Sequence, residues 1–255
     1  LALAVVVLVV LDLTVQPLSA TAADPGNGAY RALATAPPGR VLELPVFDPG
    51  QHFGSVYDYY ELQAGRERPQ GYNTLAPRSA YTFAFTYNRI SCGIWLPGDG
   101  GELARLDVSH VLLHRGLYQQ AGDRSAWFAW RGLQDNGWAP VASGGAVTLF
   151  GRGGPSAPPP LAEPSRTRPV FCQGWRERTM TELQAPIWIY GAGDYFDVHV
   201  TAEAPTLLTI STDGRLQDRR LVSGSMNLHL RLEGFRWHPV IFEATQPGIR
   251  LDYLR

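Results

Sequence analysis

The chain has 255 residues, 45% of them hydrophobic, with 22 basic and 23 acidic side chains and a formal net charge of −1. This length accommodates two ordinary domains, each with its own hydrophobic core. Because the charges nearly cancel, the composition shows no electrostatic footprint for nucleic acid, and we expect no nucleic-acid partner.

The chain begins inside an apolar run, Leu1 to Leu13, which is shorter than the roughly 20 residues needed to cross a bilayer. We interpret residues 1–20 as the end of a transmembrane helix whose earlier part lies upstream. The first Arg is Arg31, and cytoplasmic flanks of membrane-spanning helices are rich in basic residues. We therefore expect a cell-membrane protein whose soluble part is extracytoplasmic. A signal peptide ending at the small residues before Asp24 and a buried core helix are the alternatives.

Residues 21–152 are predicted to form an α/β domain with a small, mainly parallel sheet, because short apolar runs alternate with helical stretches. RVLELPVFD and SHVLLHRG are typical of buried strands, and a helix is expected around GELARLD. WAPVASGGAVTLFG indicates two strands joined by a tight turn at Gly144 and Gly145, preceded by a helix that begins at Asp123.

Residues 153–169 are rich in Pro, Gly and Ser without periodicity, which is typical of a stiff interdomain linker. From residue 170 to 255 the chain contains short alternating runs such as YFDVHVT, TLLTIST, RLQDRRLV and MNLHLRLEG. Asp213-Gly214 is a strong hairpin signal between two of them. We predict a C-terminal all-β sandwich of jelly-roll type.

Polar side chains collect at the expected carboxyl ends of the strands and in an adjoining loop. In open α/β sheets, ligands bind in the crevice beyond these ends. Carboxylates accept hydroxyl protons and Arg binds anions bidentately, which suits a sugar or a lipid phosphate. The candidate substrate-binding residues are Glu43, Asp48, His52, Tyr72, Asn73, His114 and Arg115. Alternatively, Glu43 and His114 satisfy buried backbone groups and each other.

Aromatic residues of the predicted sandwich are candidates for stacking on sugar rings. They are Trp175, Trp188, Tyr190 and Trp237. The alternative is that they fill the core, as aromatic side chains in sandwiches commonly do.

The sequence contains none of the familiar catalytic, phosphate-binding or cofactor-binding motifs. His110 and His114 have the spacing of two ligands on a helix, but HVLLH is typical of a strand, where four residues span about 13 Å. We therefore expect no metal and no cofactor.

Cys92 and Cys172 lie on either side of the Pro-rich segment. If both face an oxidising compartment, they are candidates for a disulfide, which requires their Cα atoms to lie within about 7 Å. Two unpaired, buried thiols are the alternative.

Several segments together, after an apolar helix end, resemble part of a known family. VLELPV, SVYDYYELQ, RPQGYNTLAP and LARLDVSHVLLHRG are similar to the extracytoplasmic C-terminal region of membrane-embedded, polyprenyl-phosphate-sugar-dependent glycosyltransferases of the C superfamily. The resemblance covers about residues 1–150. PVFCQGWRERTMTELQAPIWIYGAG and the strands after it are similar to the jelly-roll modules that actinobacterial members append.

The resemblance implies an accessory portion of such an enzyme, because the family's catalytic acidic residue lies in an early exoplasmic loop that nothing in this chain matches. The α/β domain would shape the acceptor cleft and the sandwich would bind glycan. Through the full-length enzyme, the implied partners are a polyprenyl-phosphate sugar, a cell-envelope glycan or glycolipid acceptor and the membrane. A membrane-anchored carbohydrate-binding or cell-surface interaction protein without catalysis is the alternative, and a free-standing hydrolase lacks a nucleophile motif.

Overall fold

The structure is a computed structural model, which describes residues 24, 26–50, 54–71, 76–120, 123–176, 178–191 and 195–254. The predicted end of a transmembrane helix at 1–20 lies outside the described residues. Within the described ranges, no helix is both long and apolar enough to span a membrane.

The described chain contains α-helices, short 3-10 helices and two β-sheets. The α-helices are α1 (Gly28–Thr35), α2 (Ser55–Ala64), α3 (Arg78–Tyr87), α4 (Asp99–Arg105) and α5 (Asp123–Asp135). The 3-10 helices span Asn88–Cys92 and Arg115–Gln120. The strands of the first sheet are β1 (Arg40–Leu44), β2 (Val108–His114), β3 (Trp138–Gly144) and β4 (Val147–Arg152). Those of the second are β5 (Val170–Phe171), β6 (Trp175–Arg176), β7 (Thr179–Met180), β8 (Gln184–Tyr190), β9 (Tyr195–Thr212), β10 (Arg215–Arg231), β11 (Trp237–Ala244) and β12 (Ile249–Leu254).

The first sheet has the order β1-β2-β4-β3 and is mixed rather than mainly parallel. β1 and β2 are parallel, whereas β4 runs antiparallel to both β2 and β3. The prediction of a mainly parallel sheet is therefore wrong. The reason is local: the tight turn at Gly145, with a φ of 54°, returns the chain directly beside β3, and hairpin strands are necessarily antiparallel.

Helices cover both faces of this sheet. On one face, Tyr30 and Leu33 of α1 pack against Leu112 of β2, and α2 joins the same cluster. On the other face, Leu113 of β2 and Phe150 of β4 pack with residues of α3, α4 and α5. Alternate strand residues thus enter two separate cores, which gives an α/β/α unit.

The second sheet is antiparallel and folds on itself at the long strand β9. One half of β9 pairs with β11, which continues to β8 and β5, and the other half pairs with β12, which continues to β7 and β6. β10 pairs along both halves, with a register shift between Val222 and Gly224. Buried residues of both halves, such as Val200 and Ile210, belong to one core cluster. The predicted β-sandwich is confirmed in this form, and its jelly-roll connectivity stays a prediction.

The α/β unit and the sandwich are in contact around a covalent link. Cys92 and Cys172 form a disulfide with a Cα separation of 5.8 Å, within the expected limit. Trp188 of the sandwich donates its indole N–H to the carbonyl of Cys92 at 2.7 Å and stacks on Phe128 of α5, with ring centroids 4.4 Å apart. The segment predicted as a linker contacts α5 of the α/β unit, where the Trp130 indole N–H donates to the carbonyl of Ala157 at 3.0 Å.

Candidate functional site

Three polar side chains meet in the interior of the α/β unit. Two of them, Glu43 and His114, are predicted site residues, and the third is Tyr30. Glu43 on β1 and His114 at the end of β2 lie on the same face of the sheet, with His114 Nε2 2.8 Å from Glu43 Oε2. The hydroxyl of Tyr30 on α1 donates to the same oxygen at 2.7 Å. All three side chains are at least 97% buried, with exposures of 1%, 3% and 1% for Glu43, His114 and Tyr30. The alternative that Glu43 and His114 satisfy each other describes this arrangement.

Arg68 completes the charge balance of this buried group. Its guanidinium lies 3.7 Å from Glu43 Oε1 and also contacts Asp58, at 2.5 Å, and Glu61. Burial, followed by the charge of Glu43, raises the pKa of Tyr30 far above its ordinary value. The Tyr30 phenol therefore stays a proton donor to the carboxylate, and the cluster is an internally satisfied network.

The space beside this network is too small for a sugar. A cavity of about 10 Å³ lies there, lined by Phe47, Gly54, Tyr57, Arg68, Gln70 and Gly71. That volume corresponds to about one water molecule. Glu43 and His114 are buried and are not among the residues that line this cavity, and a ligand role for them stays a prediction.

The other predicted substrate-binding residues do not join this network in the described part of the chain. Asp48 lies on the side of the α/β unit that faces the sandwich, where it lines a larger cleft. Arg115 donates to the carbonyl of Gly145 at 2.9 Å, next to the β3–β4 turn. His52, Tyr72 and Asn73 lie outside the described residues. Because three of the seven residues are not described, a single crevice at the carboxyl ends of the strands stays a prediction.

The four predicted stacking residues pack against different neighbours. Trp175 is 9% exposed and belongs to the sandwich core. The face of Trp188 is covered by Phe128, as described above. Arg166 lies over the ring of Tyr190 at 4.9 Å, and Trp237 packs edge-on against Tyr190 at 5.5 Å. These contacts assign the side chains to packing, and glycan stacking by any of them stays a prediction.

An open cleft of about 390 Å³ lies between the two units. The α/β unit contributes the loop after β1 and the end of α3, and the sandwich contributes the start of β8 and the turn before β12. The lining residues are Asp48, Gly50, Ala84, Phe85, Asn88, Thr181, Glu182, Leu183, Gln184 and Pro247. The volume falls within the range typical of small-ligand sites.

Two buried amide oxygens in the lining have no hydrogen-bond partner. Asn88 and Gln184 are each 6% exposed, and Asn88 Oδ1 and Gln184 Oε1 are both unsatisfied. Their amide nitrogens are occupied: Asn88 Nδ2 donates to Glu182 at 3.0 Å and Gln184 Nε2 donates to Glu243 at 2.7 Å. Because carboxylates only accept, these bonds fix which end of each amide is free. An unsatisfied buried acceptor costs about 1–3 kcal/mol. Both oxygens have almost no accessible surface, so a ligand donor reaches them only when neighbouring side chains move.

Apolar surface lies beside these acceptors. Phe85 on α3 is 49% exposed and Leu183 is 43% exposed, although both are large hydrophobic side chains. An exposed aromatic ring next to free acceptors provides a flat apolar face together with polar groups that fix orientation. The cleft thus combines the two kinds of contact that a saccharide ring needs.

Sequence reasoning found Asp48 but missed Asn88, Gln184 and Phe85. Phe85 lies in a helix in which the aromatic residues Phe83 and Tyr87 are buried, and nothing in the sequence distinguishes its exposed position. The two amides lie 96 positions apart and meet only when the units dock. The single signal available was the cysteine pair, because Asn88 and Cys92 belong to the same 3-10 helix.

No known protein-family model matches the chain, and no curated protein matches its sequence. Solved structures show limited similarity. A family 6 carbohydrate-binding module is 15% identical with a TM-score of 0.23, covering 30% of this chain and 69% of that one. The CBM36-1 domain of a multidomain xylanase from the hindgut metagenome of Trinervitermes trinervoides is 14% identical with a TM-score of 0.22, covering 28% and 67%.

A glycoside hydrolase family 43 arabinoxylan arabinofuranohydrolase from Bacillus subtilis is 14% identical with a TM-score of 0.25, covering 44% of this chain and 34% of that one. TM-scores this low do not establish a shared fold. The function of the chain is therefore inferred from its own residues.

Proposed function

We propose that the chain binds carbohydrate in the cleft between the α/β unit and the sandwich. The observation that carries the proposal is an open cleft of about 390 Å³ lined by the exposed ring of Phe85 and by Asn88 and Gln184, whose buried amide oxygens are unsatisfied. Sugar hydroxyls are donors that satisfy such acceptors, and each satisfied pair stabilises the complex by roughly 0.5–1.5 kcal/mol. Phe85 supplies the apolar face for a sugar ring.

A finer role follows from the resemblance to polyprenyl-phosphate-dependent glycosyltransferases. We propose that the chain is the extracytoplasmic accessory portion of such an enzyme and that the cleft holds the glycan acceptor. Two observations support this role: both units contribute walls to the cleft, and the Cys92–Cys172 disulfide is typical of an oxidising compartment. In the alternative, in which the chain is a membrane-anchored glycan-binding protein without catalysis, the glycan binds in the same cleft.

Calorimetric titration of the purified protein with neutral tetrasaccharides of hexoses and pentoses tests the binding proposal. We expect a dissociation constant between about 1 mM and 1 μM, which corresponds to a binding free energy of roughly −4 to −8 kcal/mol. Phe85→Ala should weaken binding about tenfold, because the apolar face is lost. The matched control is Phe235→Ala, whose side chain is 77% exposed and lies outside the cleft.

Gln184→Met removes one free acceptor while retaining a side chain of similar volume. We expect a severalfold loss of affinity, since one hydrogen bond is removed. Urea denaturation of the variant checks that the sandwich is folded. If no neutral saccharide binds, or if Phe85→Ala and Gln184→Met both bind as the wild type does, the cleft is not a carbohydrate site.

A further inference from the structure

We propose that helix α2 lies against the surface of the lipid bilayer through Tyr59 and Leu62, which we call the α2 patch. This inference rests on the proposed role as the extracytoplasmic portion of a membrane enzyme, because it names the surface by which that portion contacts the membrane. Two observations carry it: the exposure of both side chains on one helix face, and the attachment of α2 to the chain that follows the apolar N-terminal run.

The α2 patch is an outward-facing apolar surface on a helix whose other side is fixed in the core. Leu62 is 86% exposed and Tyr59 is 42% exposed, and residues three apart share a helix face. Tyr57, on the inner side of α2, is 3% exposed. Tyr60 stacks on Tyr30 of α1 with ring centroids 4.6 Å apart, and Tyr59 packs edge-on against Tyr60 at 5.7 Å. The core contacts of α2 therefore hold Tyr59 and Leu62 outward.

The chain enters the α/β unit beside this patch. Gln63, the neighbour of Leu62, donates from Nε2 to the carbonyl of Asp24 at 2.8 Å. The apolar run that starts the sequence ends at Leu13, eleven residues before Asp24, and residues 14–23 carry no charged side chain. Eleven residues span at most about 40 Å. If the apolar run ends in the bilayer, α2 is thus tethered within reach of the lipid surface.

The chemistry of the α2 patch suits the boundary between lipid headgroups and acyl chains. Tyr side chains are enriched at membrane interfaces, where the ring is shielded and the hydroxyl stays hydrated. Leu is typical of the apolar face of helices that lie in this boundary. The carboxylates that flank the patch, Asp58 and Glu61, both contact Arg68, so their charges are partly compensated.

A lipid surface fits the α2 patch better than a second protein does. A specific protein interface buries about 800 Å² on each partner, which is far more than two side chains provide. A lipid surface needs no complementary shape. The tether at Asp24 also keeps the membrane at a high effective concentration, so that a weak contact suffices.

Docking through α2 determines where the cleft lies. Tyr60 of α2 packs with the core on one face of the first sheet, whereas Phe83 of α3 packs with the core on the other face. The end of α3 lines the cleft. With α2 on the lipid, the sheet lies between the bilayer and α3, and the cleft is on the side away from the membrane. This position suits a long glycan that extends from the membrane surface.

The test uses the full 255-residue chain in phosphatidylcholine liposomes, with a fluorescent label at one introduced thiol. Cys92 and Cys172 are joined in a disulfide, so Leu62→Cys is labelled selectively with nitrobenzoxadiazole. We expect spin-labelled lipids to quench this label severalfold more strongly than the same label on Leu221→Cys, and its emission to shift to shorter wavelength. Leu221 is the matched control because it is 62% exposed on β10 of the sandwich.

A second labelled chain tests whether Leu62 itself holds the helix on the lipid. Tyr59→Cys places the label on the same helix face, and Leu62→Asp in that chain replaces the apolar side chain by a charge. We expect Leu62→Asp to reduce the quenching of the Tyr59 label severalfold, because a carboxylate is unfavourable in the apolar boundary. Leu221→Asp in the same labelled chain should leave the quenching unchanged.

Flotation of the unlabelled chain with the liposomes separates this inference from the role on which it rests. If the chain does not float, the membrane role fails and docking of α2 fails with it. If the chain floats but the Leu62 label is quenched no more than the Leu221 label, docking of α2 is wrong and the membrane role stands. If Leu62→Asp leaves the Tyr59 label as strongly quenched as before, the α2 patch does not anchor the helix and the inference is overturned.

Discussion

Glu43 is a buried carboxylate that stabilises the α/β unit through its hydrogen bonds and ion pairs. It accepts from Tyr30 and lies near both His114 and Arg68 inside the α/β unit. Removing one partner of a buried ionic network leaves the other charge uncompensated, which costs about 3–5 kcal/mol. We expect Glu43→Ala to lower the free energy of unfolding by about 3 kcal/mol, the low end of that range, because Arg68 keeps two other carboxylates.

Urea denaturation measures this loss, and Glu67→Ala serves as its control. Glu67 also pairs with an Arg, at 3.2 Å, but its side chain is 79% exposed. An exposed pair contributes at most about 1 kcal/mol, so this variant should change stability little. Glycan affinity in the cleft should be unchanged in both. Equal losses in the two variants would show that the Glu43 network has no special role.

His110 gives the protein a defined pH dependence. Burial, followed by the charge of Arg66, lowers the pKa of His110 below its ordinary value of about 6.5. The unfolded chain therefore binds a proton more readily than the folded one, and stability is fully present above about pH 6.5 and falls as the pH drops toward the folded pKa. We expect the free energy of unfolding to decrease between about pH 8 and pH 5.

His110→Gln isolates this contribution, because Gln stays neutral over the same range. Urea denaturation at the two pH values should show that the free energy of unfolding decreases less in the variant than in the wild type. All other titrating groups are shared, so the difference between the two decreases reports His110. An identical decrease in both proteins would mean that His110 does not titrate differently on folding.

For individual residues, the sequence identified some polar side chains of interest but not what they contact. Glu43 and His114 were found because they lie at the expected carboxyl ends of two strands, and the alternative that they pair with each other matches their contact. Asn88 and Gln184 carried no signal, since isolated amides are common on any surface. Their significance comes from burial and from an unpaired oxygen, neither of which a sequence shows.

Gly93 sits where the 3-10 helix Asn88–Cys92 crosses α5. Its φ of 74° is in the left-handed region, and a Cβ there would overlap the carbonyl oxygen of Phe128. A left-handed conformation costs a non-glycine residue about 1–2 kcal/mol, and the overlap adds a backbone displacement. We expect Gly93→Ala to lower the free energy of unfolding by more than 2 kcal/mol, as measured by urea denaturation.

Gly65→Ala separates the cost of the left-handed conformation from the cost of the steric overlap. Gly65 ends α2 with a φ of 59°, and a Cβ at this position has no neighbour within 4 Å. Its substitution should therefore cost only the conformational term of about 1 kcal/mol. If Gly93→Ala costs no more than Gly65→Ala, the crossing of the 3-10 helix and α5 is looser than the structure describes.

The elements themselves were largely predictable because their signals are local. Apolar runs bounded by turn residues predicted β1 and β2, and Asp213-Gly214 predicted the turn between β9 and β10. Strand length was not predictable: YFDVHVT and TLLTIST belong to one strand, β9, although Pro205 lies within it. Proline is tolerated there because residues 203–205 lie at the fold of the sheet, outside the ladders to β11 and β12.

The site belongs to the whole molecule rather than to either unit. The cleft is lined by the end of α3 on one side and the start of β8 on the other, so neither set of residues forms a pocket alone. Sequence patterns report periodicity within elements and cannot place two units against each other. The prediction of a ligand crevice at the sheet edge assumed a mainly parallel sheet. β1 and β2 are parallel neighbours, whereas β4 is antiparallel to both β2 and β3, and the crevice stays a prediction.

The disulfide holds this arrangement together, and its removal is the corresponding prediction. Cys92 and Cys172 are separated by 80 residues, and closing a loop of this length contributes about 4 kcal/mol in the chain-entropy model. The double variant Cys92→Ser with Cys172→Ser should lose up to this amount in urea denaturation. It should also bind a neutral tetrasaccharide more weakly, because Asn88 lies on the same 3-10 helix as Cys92.

Reduction of the wild type provides the control for these substitutions. Dithiothreitol should bring the unfolding free energy and the glycan affinity of the wild type to the level of the double variant, and it should leave the double variant unchanged. Two packed contacts, the Phe128–Trp188 stack and the Trp188 hydrogen bond to Cys92, keep the units docked without the covalent link. Affinity should therefore fall severalfold rather than vanish. An affinity that is insensitive to reduction would mean that packing alone positions Asn88 against Gln184.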